Sequence, residues 1–245
     1  MANYLLIAAT SDVGTQVAKD LHQQGHTLWL TGRQEVAVKK VATPLEARYS
    51  VLDATDFEAV DQVFEAAQAA LGSLDGVLCC AGSLLLKPAH LTTWSEYLEV
   101  MQANLTTGFA VVRAAGKYMH PTGGSVVLIS SAAAIKGIAN HEAIAAAKGG
   151  IISLARSAAA TYAAANIRFN VVAPGLTATK MTAGLTHNDF SRKAAEALHA
   201  LRRLGSVEDI AAAVTFLLNP SNTWITGQTL AVDGGLSTLM PKIKT

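Results

Sequence analysis

Short apolar runs alternate with amphipathic stretches along nearly the whole chain. Tyr4 to Ala9 is an unbroken apolar run and reads as a buried strand. Val13, Val17 and Leu21 then recur four apart, marking one face of a helix that closes at Gly25. Thr27 to Thr31 predicts a second strand and Ala47 to Val51 a third, which ends near Asp53. Phe57, Val60, Phe64 and Leu71 map a helix, and Gly76 to Cys80 a fourth strand that ends at Ala81-Gly82. Thr93 with Glu96 matches a capping box opening a long helix through Asn104 towards Tyr118. The run from Val126 is a fifth strand ending in Ser130-Ser131, followed by an alanine-rich helix that carries Lys148. Arg168 to Ala173 gives a sixth strand, broken by Pro174-Gly175. The segment from Leu176 to Leu204 holds a helix around Ser191 to Leu201. Ser206 and Asp209 cap another helix, which ends before Pro220. Gln228 to Val232 is a seventh strand, followed by Asp233-Gly234-Gly235 and a short basic tail.

Strand and helix alternate throughout, and parallel strands need such crossovers. The pattern therefore predicts a doubly wound parallel α/β sheet in one domain spanning 1–245, with no internal repeat or linker. Ligands of such sheets sit at the carboxyl ends of the strands. Asp12, Arg33, Asp53, Gly82, Ser131 and Pro174 all fall at predicted strand ends, which marks a ligand crevice.

Composition narrows the partners. With 245 residues, 51% of them apolar and only 15% charged, the chain can bury a large core and is expected to self-associate. Nineteen basic residues against eighteen acidic ones leave no polyanion-binding signature, so nucleic acid is not an expected partner. Cys79 and Cys80 lie adjacent in an apolar run, without metal or disulfide spacing, and read as reduced core residues. No apolar run approaches the ~20 residues of a membrane span, and the first residues lack a basic leader, so a cytoplasmic protein is expected.

A hydroxyl at the end of the fifth strand facing an ammonium on the next helix is a candidate reaction centre. Ser131 and Lys148 occur at the spacing seen in the short-chain dehydrogenase/reductase family, which this chain resembles over nearly its whole length. That resemblance implies a Rossmann-like fold, a nicotinamide cofactor and a small-molecule carbonyl or alcohol substrate. The family's first turn, Thr-Gly-x-x-x-Gly-x-Gly, aligns with Ile7 to Gly14, so Ala8 and Asp12 replace two glycines and Gly14 remains. Ser11, Asp12, Val13 and Gly14 would face the pyrophosphate. Asp12, just ahead of the helix, is expected to cap it and to compete with the phosphates for its amides.

The resemblance also assigns the rest of the cofactor site. Arg33 stands where NADP-preferring members carry a base for the ribose 2′-phosphate, and so implies NADP, with NAD as the alternative. Asp53 matches the acid near the adenine, and Ala81 and Gly82 the small residues beneath the cofactor. Pro174, Gly175 and Thr179 match the segment at the carboxamide, and Lys148 the ribose ligand. The family's catalytic tyrosine, serine, lysine and asparagine fall on Ile144, Ser131, Lys148 and Asn104. Isoleucine carries no proton. His141 shares a predicted helical face with Ile144 and Lys148 and is the candidate replacement; water held by Ser131 and Lys148 is the alternative. The implied function is an NADP-preferring oxidoreductase with an altered proton donor. The competing reading, from the changes at Ala8, Asp12 and Ile144 together, is a degenerate member that serves as a binding or assembly protein. The family also implies a homodimer or homotetramer, formed through the helices bearing Asn104 and Lys148, with alanine-rich faces at 143–147 and 158–165.

Overall fold

A computed structural model describes residues 1–186 and 188–241, so most of the expected basic tail lies outside the described residues. Seven strands form one parallel sheet in the order β3-β2-β1-β4-β5-β6-β7. They are β1 (Asn3–Ile7), β2 (Thr27–Gly32), β3 (Arg48–Val51), β4 (Gly76–Cys79), β5 (Gly124–Ile129), β6 (Ile167–Pro174) and β7 (Thr229–Val232). The order reverses between β1 and β4, and the loops that follow these two strands diverge there to open a crevice.

Side chains alternate across the sheet and build a core on each face. On β1, Leu5 and Ile7 pack into one core with α3 (Phe57–Leu71), α5 (Thr107–Tyr118) and α6 (Glu142–Thr161). Tyr4 and Leu6 pack into the other, with α1 (Asp12–Gln23), α2 (Glu35–Ala42) and α8 (Val207–Leu218). The α3 start is capped by Asp56, and the capping boxes of α4 (Trp94–Met101) and α8 form as expected, at Thr93/Glu96 and Ser206/Asp209.

Two departures from the sequence reading have local causes. The sequence pattern gave no element between β2 and β3, yet α2 forms there. Only Val38 and Ala42 of its two turns are buried, too few to display a period. The long helix expected from Thr93 to Tyr118 is interrupted at 102–106 by one π-helical turn centred on Asn104, between α4 and α5. The helix expected at Ser191 to Leu201 is α7 (Asp189–Leu198).

Candidate active site

A cleft of about 490 Å³ opens at the carboxyl ends of the strands. It gathers Ser11, Asp12, Val13, Ala81, Gly82, Asn104, Ser131, His141, Lys148, Pro174, Gly175 and Thr179, along with Ile144, from segments far apart in sequence. Arg33 and Asp53 are not among its lining residues; both are exposed at the ends of β2 and β3. Hydrogen bonds from the Thr55 amide (3.0 Å) and hydroxyl (2.7 Å) hold the Asp53 carboxyl below the usual range, and the nearby Arg33 charge adds to this. Gly14 also stands outside the lining. A Cβ there would lie 2.9 Å from the Ala8 carbonyl oxygen and the Ala9 Cα, so Gly14 lets α1 pack tightly on the turn.

At that turn β1 stops at Ile7, and Ala8 adopts φ +59°, a left-handed conformation that favours glycine. The helix cap is Ser11, not Asp12. Ser11 is extended and its Oγ accepts the Gly14 amide at 3.0 Å, whereas Asp12 is already inside the first turn. The Asp12 carboxylate turns instead to the segment after β6, accepting the Lys180 amide at 2.6 Å with the Lys180 ammonium 3.5 Å away. The expected competition for the helix amides therefore does not arise from capping. Among the described residues, the amides of Asp12 and Val13 have no protein acceptor.

The floor of the cleft is set by β4 and the π-helical turn. Cys79 is buried. Cys80 lines the cleft beside Ser11, and burial, with the neighbouring Cys79, pushes its thiol up to about 12. Asn104 is buried, and its Nδ2 donates to the Val100 carbonyl (2.9 Å) and to Ser83 Oγ (3.1 Å). Its Oδ1 accepts the Ser83 amide at 3.3 Å. The extra residue of the π turn lets this side chain brace the loop after β4. A Cβ on Gly82 would lie 2.8 Å from Asn104 Oδ1 and 3.2 Å from Lys148 Nζ, so glycine keeps that space open.

The two serines have separate tasks. Ser130 Oγ donates to the Lys148 carbonyl at 2.8 Å and ties β5 to α6, while Ser131 lines the cleft and its Oγ accepts the Ala133 amide at 3.2 Å. Lys148 is buried and its Nζ donates to the Ile129 carbonyl at 2.9 Å; burial lowers its pKa to about 8. One helical turn earlier, Ile144 is buried against Val100, Leu84 and Leu105. His141 does not lie within α6. It is the residue ahead of the first turn, and its Nδ1 contacts the Ala139 carbonyl at 2.7 Å. A carbonyl only accepts, so Nδ1 carries hydrogen and Nε2 is the nitrogen left for other partners.

Sequence reading missed three members. Ser83 and Lys180 enter only through the contacts above. His199 is buried, accepts the Leu176 amide on Nε2 (3.2 Å) and donates from Nδ1 to the Ala195 carbonyl (2.9 Å), which commits both nitrogens. His199 and Leu176 stand 23 positions apart, at the end of α7 and after β6, so no local spacing paired them.

The family model described as enoyl-(acyl carrier protein) reductase matches residues 7–237, and so takes in every segment of the cleft. The chain belongs to the short-chain dehydrogenase/reductase family. Carbonyl reductase family member 4 of Danio rerio is 33% identical over 243 residues, covering 96% of this chain and 98% of that protein. The 3-oxoacyl-[acyl-carrier-protein] reductase MabA of Mycobacterium tuberculosis is 32% identical over 236 residues, covering 95% and 91%. Among solved structures, ElxO with NADP bound superposes with a TM-score of 0.91 at 27% identity, covering 97% of this chain and 99% of that one. A tyrosine-to-phenylalanine variant of ElxO with NADPH bound superposes equally well. The cleft brings together Ser131, Lys148, Asn104 and Ile144, the four positions that the family resemblance marked in the sequence.

Proposed function

We propose that this protein is an NADP-preferring oxidoreductase acting on a carbonyl or alcohol, in which His141 replaces the phenol as proton carrier. The observation that carries this reading is the pair of uncommitted amides at Asp12 and Val13, in the same cleft as buried Lys148. Such amides at a helix N-terminus suit phosphate oxygens, and the left-handed Ala8 preserves the backbone course of the missing glycine. Ser11, Asp12 and Val13 would hold the pyrophosphate, Arg33 the 2′-phosphate and Lys148 the ribose; Pro174, Gly175 and Thr179 would meet the carboxamide. Neighbours of this fold carry NADP or NADPH, which supports the same choice. A bound nicotinamide supplies the hydride chemistry.

The chain's own residues handle the oxygen and the proton. Ser131 Oγ polarises the substrate oxygen, and Asn104 holds the loop that shapes the floor. Ile144 carries no proton, and both nitrogens of His199 are committed. His141 holds one nitrogen to the Ala139 carbonyl, as an oriented imidazole should, and moves the proton at Nε2.

Titration with NADPH, NADP+, NADH and NAD+ tests the first part, with NADPH expected to bind tightest. No binding of any of the four at millimolar concentration would overturn the reading and leave a binding or assembly protein. For the second part, Ile144→Tyr should raise kcat by ~10². His141→Ala should slow the natural chain while leaving the Ile144→Tyr variant nearly unchanged. Equal slowing of both would show that His141 acts only on structure.

A further inference from the structure

We infer that the substrate of this cleft is an uncharged, hydrophobic ketone or secondary alcohol, with its carbon chain held by aliphatic side chains alone; this rests on the oxidoreductase reading above. Leu84 and Leu86 follow β4, Ile138 precedes α6, Ile144 lies in its first turn, and Met181 and Leu185 follow β6. All six line the cleft, and they come from three separate segments, so they enclose rather than merely floor a ligand. An alkyl group placed among them leaves water without forfeiting a polar contact.

Asp12, Lys148 and His199 already have protein partners. The Asp12 carboxylate faces the amide and ammonium of Lys180, and that ammonium is otherwise 91% exposed to solvent. The Lys148 ammonium is buried, is held by the Ile129 carbonyl, and lies beside Gly82 at the end of β4. His199 has no free nitrogen. A carboxylate placed among the six aliphatic side chains would lose its water without gaining a partner from any of them, and a buried unpaired charge is strongly disfavoured. Ile144, buried in an apolar cluster one helical turn before Lys148, extends this surface along α6.

The test compares methyl ketones by calorimetry, with and without NADPH. Affinity should climb about fourfold per methylene from 2-butanone to 2-hexanone and on to 2-octanone, as expected for burial of alkyl surface. The carboxylate analogue 7-oxooctanoate, the same methyl ketone with an acid at its far end, should bind at least tenfold more weakly than 2-octanone. Met181 is 53% exposed, so Met181→Glu should keep the natural melting temperature while weakening 2-octanone and sparing NADPH. Equal or tighter binding of 7-oxooctanoate, or no binding of 2-octanone at its solubility limit, would overturn the inference even where NADPH binds. Ketone binding with this ranking but no NADPH binding would instead sustain the apolar site and defeat the oxidoreductase reading.

Discussion

Ala8 holds a backbone conformation that costs an L-residue roughly 1–2 kcal/mol, because Cβ crowds the following carbonyl. Glycine would relieve that cost and give back part of it through a freer unfolded chain. Ala8→Gly should therefore stabilise the fold by up to about 1 kcal/mol in urea denaturation. Lys148 makes a second prediction at this scale. Its ordinary pKa of 10.5 falls to about 8 in the folded protein because burial penalises the ammonium. Between those two values the unfolded chain binds more protons than the folded one, so stability rises with pH across that window, by about 3 kcal/mol. Below pH 8 the penalty is present in full. Lys148→Met should flatten this part of the profile, measured as melting temperature against pH. Both effects turn on single residues whose identity the sequence displayed. What the sequence did not display was the conformation of one and the burial of the other.

At the scale of elements, the cleft is made by loops that grip one another. The Asp12 carboxylate reaches the segment after β6 through the Lys180 amide, while the Lys180 side chain lies largely in water. Amide hydrogen exchange should separate the two contacts. Asp12→Ala should speed exchange across 178–182, whereas Lys180→Ala should leave it nearly unchanged, since surface ion pairs contribute little. Equal acceleration by both variants would place the anchor in the ion pair. The strands, the capped helices and their order were readable from apolar runs and capping boxes, because those signals are local. Helix α2 was not, with two buried positions, and neither was the π turn, because an extra residue in a helix leaves the apolar pattern almost unaltered. Ser131, Ile144 and Lys148 could be located because a fixed spacing from the end of one strand along the next helix carries them, and the cleft gathers them with Asn104 from the π turn. The assignment of Asp12 as the cap failed because Ser11 beside it is an equally good capping residue.

For the whole molecule, the same doubly wound sheet that sets the cleft also leaves apolar side chains outside. The alanine faces expected to pair two copies are partly consumed within the chain: Ala143, Ala147, Ala158 and Ala159 are buried. Exposed apolar groups include Trp94, Leu98 and Phe109 around the π turn, and Phe216, Trp224 and Leu230 near α8 and β7. A dimer or tetramer is expected by sedimentation at micromolar concentration, and a monomer with an intact fold would count against it. Trp224→Ala should shift that mass towards smaller species if the second group forms a contact.

The bond between Asp12 and Lys180 joins residues 168 positions apart. A contact of that span forms only after the intervening strands have paired, since closing so long a loop is unfavourable until other interactions shorten it. On the ribosome the first turn is made early, but it finds its partner only after β6 has emerged, when most of the chain has been synthesised. The cleft is thus a late product of folding, and a chain stopped short of Lys180 would carry the first glycine-like turn with nothing to close against it.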